Sequence, residues 1–156
     1  MSAKLADDEL LISRTFDAPA SLMFELWTDP VHFKNWMGPG KYECRHAEMD
    51  LRVGGAYRGM IYADDTGEGW FGGVYREIEP NTRLVFTFKW DSGPSGELET
   101  LVTITFREER DGRTTMTFHQ TPFMNVERRD SHIGGWNSAF TKFGEYVEKL
   151  ARETTQ

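Results

Sequence analysis

The stretch IGGWNSAFTKFGEYVEKL, from Ile133 to Leu150, decides the fold. Its apolar residues Ile133, Trp136, Phe140, Phe143, Val147 and Leu150 recur at spacings of three and four. That interval stacks side chains along one stripe of a helix. Glu145 with Lys149, and Glu148 with Arg152, stand four apart on the remaining surface. Acid precedes base in both, the favourable order for a helical ion pair. The spacing predicts a helix from about Arg128 to Arg152, ~37 Å long at 1.5 Å per residue. A six-residue strand spans only ~20 Å, so a helix of this length can cross a whole sheet.

Upstream the period is two. Strands are expected at Leu10–Phe16, Tyr42–Leu51, Gly55–Ala63, Trp70–Ile78, Arg83–Trp90, Leu98–Glu108 and Thr114–Gln120. Turn chemistry separates them at Val53-Gly54-Gly55, Asp64 to Gly67, Glu79-Pro80-Asn81, Asp91 to Pro94 and Asp111-Gly112. Links this short favour an antiparallel meander. Leu84, Phe86, Phe88 and Trp90 share a face opposite Thr87 and Lys89. Val102, Ile104 and Phe106 oppose Thr103 and Thr105, and Met116 and Phe118 oppose Thr115 and Thr117. A sheet with one greasy face needs a cover, and the C-terminal helix supplies it. Gly54, Gly55, Gly59, Gly69, Gly72 and Gly73 fall in or beside strands, where glycine marks bends, bulges or close approach. They suggest a sheet curved enough to wrap a helix. Two short helices are expected after the first strand: Ala20–Thr28, which follows Pro19, and Val31–Trp36, which ends at Gly38-Pro39-Gly40. The expected architecture is α+β, one domain over residues 1–156 with its core at about 10–150.

Composition narrows the function. Twenty-five acidic residues against 18 basic give a net charge of −7, without the basic footprint that nucleic acid requires. Arg110 and Arg113 sit in a run diluted by Glu108, Glu109 and Asp111, as at a solvated hairpin tip. Cys44 is the only cysteine, so neither an intramolecular disulfide nor a cysteine-rich zinc site is available. Met1 to Glu9 is polar and acidic, unlike a signal peptide. No stretch approaches the ~20 apolar residues that span a bilayer. The chain is expected to be soluble and cytoplasmic, with neither membrane nor nucleic acid as partner.

Aromatic residues make up 13% of the chain, enough to fill a core or to line a hollow for a greasy ligand. Trp36, Met60, Trp70, Phe88, Met116, Phe118, Trp136 and Phe140 are expected to face the gap between helix and sheet. Arg76 shares a phase with Val74 and Ile78, which brings a cation toward the apolar side. It can anchor a ligand carboxylate or pair with a glutamate on a neighbouring strand. Gln120 follows Met116 and Phe118 inward and needs hydrogen bonds there, from the protein, water or a ligand. Cys44, His46 and Glu48 alternate along one strand, but Ala47, Met49 and Leu51 make the other face apolar. All three are therefore expected to face solvent, and no metal site or cofactor is assigned. His32 and His132 near helix starts read as surface residues. No nucleophile elbow, zinc-protease motif or phosphate-binding loop is present.

The order of elements and several motifs resemble the START-like helix-grip superfamily, also called SRPBCC. More narrowly, they resemble the family named for the C-terminal domain of activators of the heat-shock protein 90 ATPase. The resemblance rests on Arg14-Thr15-Phe16-Asp17-Ala18-Pro19, Trp27-Thr28-Asp29-Pro30, Trp36-Met37-Gly38-Pro39 and Asp50-Leu51-Arg52-Val53-Gly54-Gly55. It continues through Gly73-Val74-Tyr75-Arg76-Glu77-Ile78-Glu79-Pro80, Arg83-Leu84-Val85-Phe86-Thr87 and Gly135-Trp136. Trp36-Met37 departs from the paired tryptophans common in that family. What the resemblance implies is a hydrophobic cavity between sheet and long helix, and no particular reaction, since fold does not set function. The leading expectation is binding of a small hydrophobic molecule. One alternative is a cyclase- or hydrolase-like enzyme using Arg76, Gln120 or a nearby glutamate as polar handles. The other is a co-chaperone-like contact with a chaperone ATPase. A homodimer through sheet edges or the short helices is also open to such a chain.

Overall fold

The computed structural model describes residues 7–91 and 98–154. Met1 to Ala6, and the turn expected at 91–94 from Ser92 onward, lie outside the described residues. Chain order is β1 (Leu10–Phe16), α1 (Ala20–Thr28), α2 (Pro30–Phe33), β2 (Glu43–Met49), β3 (Ala56–Ala63), β4 (Gly67–Glu79), β5 (Arg83–Trp90), β6 (Thr100–Glu108), β7 (Thr114–Thr121) and α3 (Val126–Thr154). The strands form one sheet in the order β1-β7-β6-β5-β4-β3-β2, every pair antiparallel. β2 to β7 make the expected meander. β1 closes the far edge beside β7, a long-range pairing that no turn signal announces. None of the described helices is long and apolar enough to cross a membrane.

Curvature has local causes. Gly59 lies under the Phe71 ring, where an added Cβ would stand 2.4 Å from Cζ. At Gly73 the same atom would come within 1.9 Å of the Thr87 carbonyl oxygen. Both positions let backbone or ring approach closer than any side chain permits. Two register shifts add bends: one between Cys44 and His46 in β2, the other between Tyr75 and Glu77 in β4.

The short helices are capped by borrowed and local carboxylates. Pro19 has no side-chain acceptor, and Glu108 at the end of β6 accepts from the Ala20 N–H at 3.0 Å instead. Asp29 Oδ1 accepts from the Val31 N–H at 2.9 Å, with Pro30 in the first turn of α2. These caps hold α1 and α2 against one end of the sheet, and Trp27 and Trp36 point into the core. Trp27 is ringed by Phe33, Trp36, Phe86, Phe118, Trp136, Phe140 and Phe143, with centroids 4.7–6.5 Å away. Its Nε1–H donates to the Met116 sulfur at 3.3 Å, and the Trp36 Nε1–H donates to the Leu26 carbonyl at 2.9 Å. The donors that large indoles bring into a core are thus satisfied.

Candidate functional site: a cleft beside the N-terminal half of the long helix

The gap expected between Phe88, Met116 and Phe118 on the sheet and Trp136 and Phe140 on the helix is largely closed. Phe118 lies 4.6 Å from Trp136 and 5.3 Å from Phe140, centroid to centroid, and Phe88 lies 5.7 Å from Trp136. Met116 and Trp36 are completely buried. What remains at the centre is a void of about 20 Å³ lined by residues including Trp27, Tyr57, Tyr75 and Phe86. That is room for about one water. Trp27 is the residue that fills the middle, and its place on a short helix gave no sign of that.

Open space lies farther along α3. A cleft of about 250 Å³ is walled by Met37, Pro39 and Tyr42 of the α2–β2 connection, by Ile61, Phe88 and Trp90 of the sheet, and by Ser131, His132, Gly135, Trp136 and Ala139 of α3. Its lining is mainly apolar and aromatic, the usual character of a small-molecule site. Of the residues expected at a cavity, Phe88 and Trp136 line it.

Two polar systems hold the cleft's walls. On one side Lys142 donates to the carbonyls of Gly38 and Tyr42 at 2.7 and 2.9 Å, while the Gly40 N–H donates to Ser138 Oγ at 2.7 Å. Two helix side chains four residues apart therefore strap the 38–42 loop. Partial burial lowers the Lys142 pKa below the usual lysine value. Behind the other wall the Trp136 Nε1–H donates to Gln120 Oε1 at 2.8 Å, and Gln120 Nε2 donates to Thr100 Oγ1 at 2.9 Å. Thr100 in turn donates to the Phe88 carbonyl at 3.0 Å. Gln120 is fully buried and its hydrogen bonds go to the protein.

His132, expected at the surface, is half-buried at the mouth of the cleft. Its Nε2 accepts from the Trp90 Nε1–H at 3.2 Å, and its Nδ1 lies 2.8 Å from the Arg128 carbonyl. Burial lowers its pKa, the nearby Arg128 charge adds to this, and the bond to the Arg128 carbonyl opposes both. Nothing in the helical stripe marks His132, because it stands one residue before Ile133. The partner that defines it, Trp90, is a long way off in sequence.

Three expectations are corrected. Arg76 is exposed on the outer face. It is the extra residue of the bulge between Tyr75 and Glu77, which breaks the alternation that pointed it inward. Met60 and Trp70 pair across β3 and β4 on the outer face of the sheet, Met60 buried there and Trp70 half-buried, because Gly59 and Ile61 hold the inward phase. There the Arg58 guanidinium lies 4.8 Å from the Trp70 ring and pairs with Asp91. Cys44 is buried, not solvent-facing: the bulge at Arg45 reverses the phase of the strand's start. Its thiol donates to the His46 carbonyl at 3.4 Å, while the His46 ring turns outward to Glu48 at 2.5 Å.

Two other features of the described residues compare less well with a ligand site. A depression of about 630 Å³ on the outer face has Gly72 and Gly73 as its floor and Glu48, Arg58, Lys89, Asp91 and Glu99 around it. It is charged, and its Arg58–Asp91 pair is already formed. Glu25, Asp29 and His32 bring potential metal-ligating atoms within 4.8 Å of one another. Asp29 is there as the cap of α2, and His32 is held by Tyr146 at 2.7 Å and Glu25 at 3.4 Å. These bonds account for the cluster's geometry.

Comparison with known proteins agrees with this architecture. A protein from Chromobacterium violaceum superposes with a TM-score of 0.82 at 25% identity, over 90% of this chain and 98% of that one. A protein from Nitrosomonas europaea superposes with a TM-score of 0.78 at 19% identity, over 96% and 99%. DynU16, described as a putative protein in the dynemicin biosynthetic locus, shares the fold at 22% identity and a TM-score of 0.74, over 92% of this chain and 48% of its own. No curated protein matches at a significant level. The family model described as activator of Hsp90 ATPase homolog 1-like protein matches residues 17–148. The chain belongs to that family and has its helix-grip fold: a curved antiparallel sheet around a long C-terminal helix, with two short helices after the first strand.

Proposed function

We propose that the chain binds a small hydrophobic molecule in the cleft between the N-terminal half of α3, the 38–42 loop and strands β3 and β5. The observation that carries this reading is the apolar cleft of about 250 Å³ lying beside an otherwise filled core. Pockets for drug-sized molecules run to roughly 300–1,000 Å³, so the ligand is smaller, of up to about three aromatic rings, and not a long acyl chain. Phe88, Trp90 and Trp136 offer ring faces for stacking. The test is a thermal-shift titration with the neutral dye N-phenyl-1-naphthylamine, followed also by tryptophan fluorescence. Ligand at 100 times its Kd stabilises by about 2.7 kcal/mol, a shift easily measured. Saturating dye that moves neither melting temperature nor fluorescence would reject the reading. Two named handles of the catalytic alternative are not offered to a ligand, since Arg76 is on the outer face and Gln120 spends its bonds on Trp136 and Thr100.

A second reading follows from the family's description as activators of an Hsp90 ATPase. Purified chaperone should then hydrolyse ATP faster when the chain is added. A rate unchanged at chain concentrations well above the chaperone's would eliminate it.

A further inference from the structure

The bonding of His132 has only one solution. The Trp90 indole nitrogen is a donor and never an acceptor, and the Arg128 carbonyl is an acceptor and never a donor. His132 Nε2, 3.2 Å from that indole nitrogen, must therefore present a lone pair. Nδ1, 2.8 Å from the carbonyl, must carry the proton. The imidazole is neutral and in one tautomer, and it ties the last residue of β5 to the second turn of α3. Both partners, Trp90 and His132, line the cleft.

Adding a proton to Nε2 sets two donors against each other. The imidazole is restrained by its own helix and by the Phe123 ring, 4.9 Å away between centroids. Trp90, half-buried at the end of its strand, is held by ring contacts alone, with Phe71 at 5.6 Å and Phe88 at 5.5 Å, once its N–H has lost its acceptor. Trp90 is therefore the group that yields. The surroundings offer the new charge no compensation among the described residues. On α3 itself the charge that acts on it is that of Arg128, of like sign. Trp90 from β5, Phe123 from the β7–α3 connection, and Leu98, Thr100 and Gln120 around the adjoining crevice are uncharged. Across the cleft, the 38–42 loop presents Pro39 and Tyr42. The proton is thus taken up at lower pH than by an ordinary imidazole.

We propose that protonation of His132 releases Trp90 from α3 and dismantles one wall of the cleft, so that the protein discharges its hydrophobic ligand as the solution becomes acidic. This rests on the ligand-binding reading above and adds regulation to it. The test titrates wild type and His132→Gln with N-phenyl-1-naphthylamine at about pH 7.5 and about pH 5, a range centred on histidine's. Glutamine can accept from the Trp90 N–H and does not titrate. Wild type should bind about fivefold or more weakly at the lower pH, the equivalent of one lost hydrogen bond. His132→Gln should bind equally at both. Equal pH profiles in the two proteins would overturn the gate.

A second readout needs no ligand: the NMR signal of the Trp90 indole N–H, assigned with Trp90→Phe. It should shift with pH in wild type and stay fixed in His132→Gln. A signal that ignores pH in wild type rejects the gate even if the dye binds. Dye that fails to bind at about pH 7.5 while the indole signal still titrates rejects the ligand reading, and ligand discharge with it.

Discussion

The two halves of the α3–sheet interface are built on different physics. Toward the C-terminal half the contact is dry. Phe143 packs on Phe16 at 5.0 Å and on Trp36 at 5.0 Å, Val147 is almost fully buried, and Trp27 fills the centre. Near the helix midpoint Arg14 adds polar bonds from β1 to Asn137 and Thr141. Toward the N-terminal half the helix stands off the sheet. It is held by a few polar ties: Ser138 to the 38–42 loop, with Lys142 one turn farther on, Trp136 to Gln120, and His132 to Trp90. Burial makes the first half a foundation. The ties leave the second half a cleft whose walls are fixed by identifiable bonds and can be moved one at a time.

The sharpest way to break this contrast is to remove the filler of the dry half. Trp27→Ala should cost about 3–5 kcal/mol, as large-to-small core substitutions do, read as a fall in the denaturation midpoint at unchanged slope. A loss below about 1 kcal/mol would mean that the dry half is not the foundation. Next in size is Gln120→Leu. It leaves the Trp136 indole N–H without its buried acceptor, and such an orphaned group costs about 1–3 kcal/mol. Because Trp136 lines the cleft, dye affinity should fall in the same variant.

Smaller effects separate binding from stability. Gly134 has open space where a Cβ would go, so Gly134→Ala should stabilise the helix by about 0.5–1 kcal/mol and leave the cleft alone. At Gly135 an added Cβ would meet only Pro39, at 3.8 Å. Gly135→Leu should therefore fold, project into the cleft and abolish dye binding. If Gly135→Leu folds and still binds dye as tightly as wild type does, the site is elsewhere.

Much of the fold was legible because periodicity and turn chemistry are local. The stripe from Ile133 to Leu150 and the alternation in β5, β6 and β7 gave the helix, the meander and the inward face. The bounds of β1, α1 and β5 coincide with the expected ones. The candidate site was less legible, for two physical reasons. Bulges at Arg45 and Arg76 each insert one residue, and one residue is enough to turn a strand's pattern over. That misplaced Cys44 and Arg76. The other reason is that filling is a three-dimensional property. Whether Phe118 and Trp136 bound a cavity or touch depends on Trp27, which arrives from α1 and has no sequence relation to either. His132 is the same case: a histidine beside a helix start becomes a buried acceptor only because β5 ends with an indole facing it.

The smallest effect bears on that contact alone. Burial depresses the His132 pKa, so the folded state holds fewer protons there than the unfolded chain does at mildly acid pH. Stability then rises with pH wherever the unfolded chain binds the extra proton. His132's contribution is accordingly complete above the ordinary imidazole value of about 6.5 and is lost as pH falls through and below it. Melting temperatures of wild type and His132→Gln should stay a constant distance apart in neutral solution and converge as the solution is acidified. Carboxylates elsewhere titrate in both proteins and cancel from the difference. A difference that is constant across the whole range would mean that the imidazole titrates alike folded and unfolded, and that the tie between β5 and α3 does not depend on its neutral form.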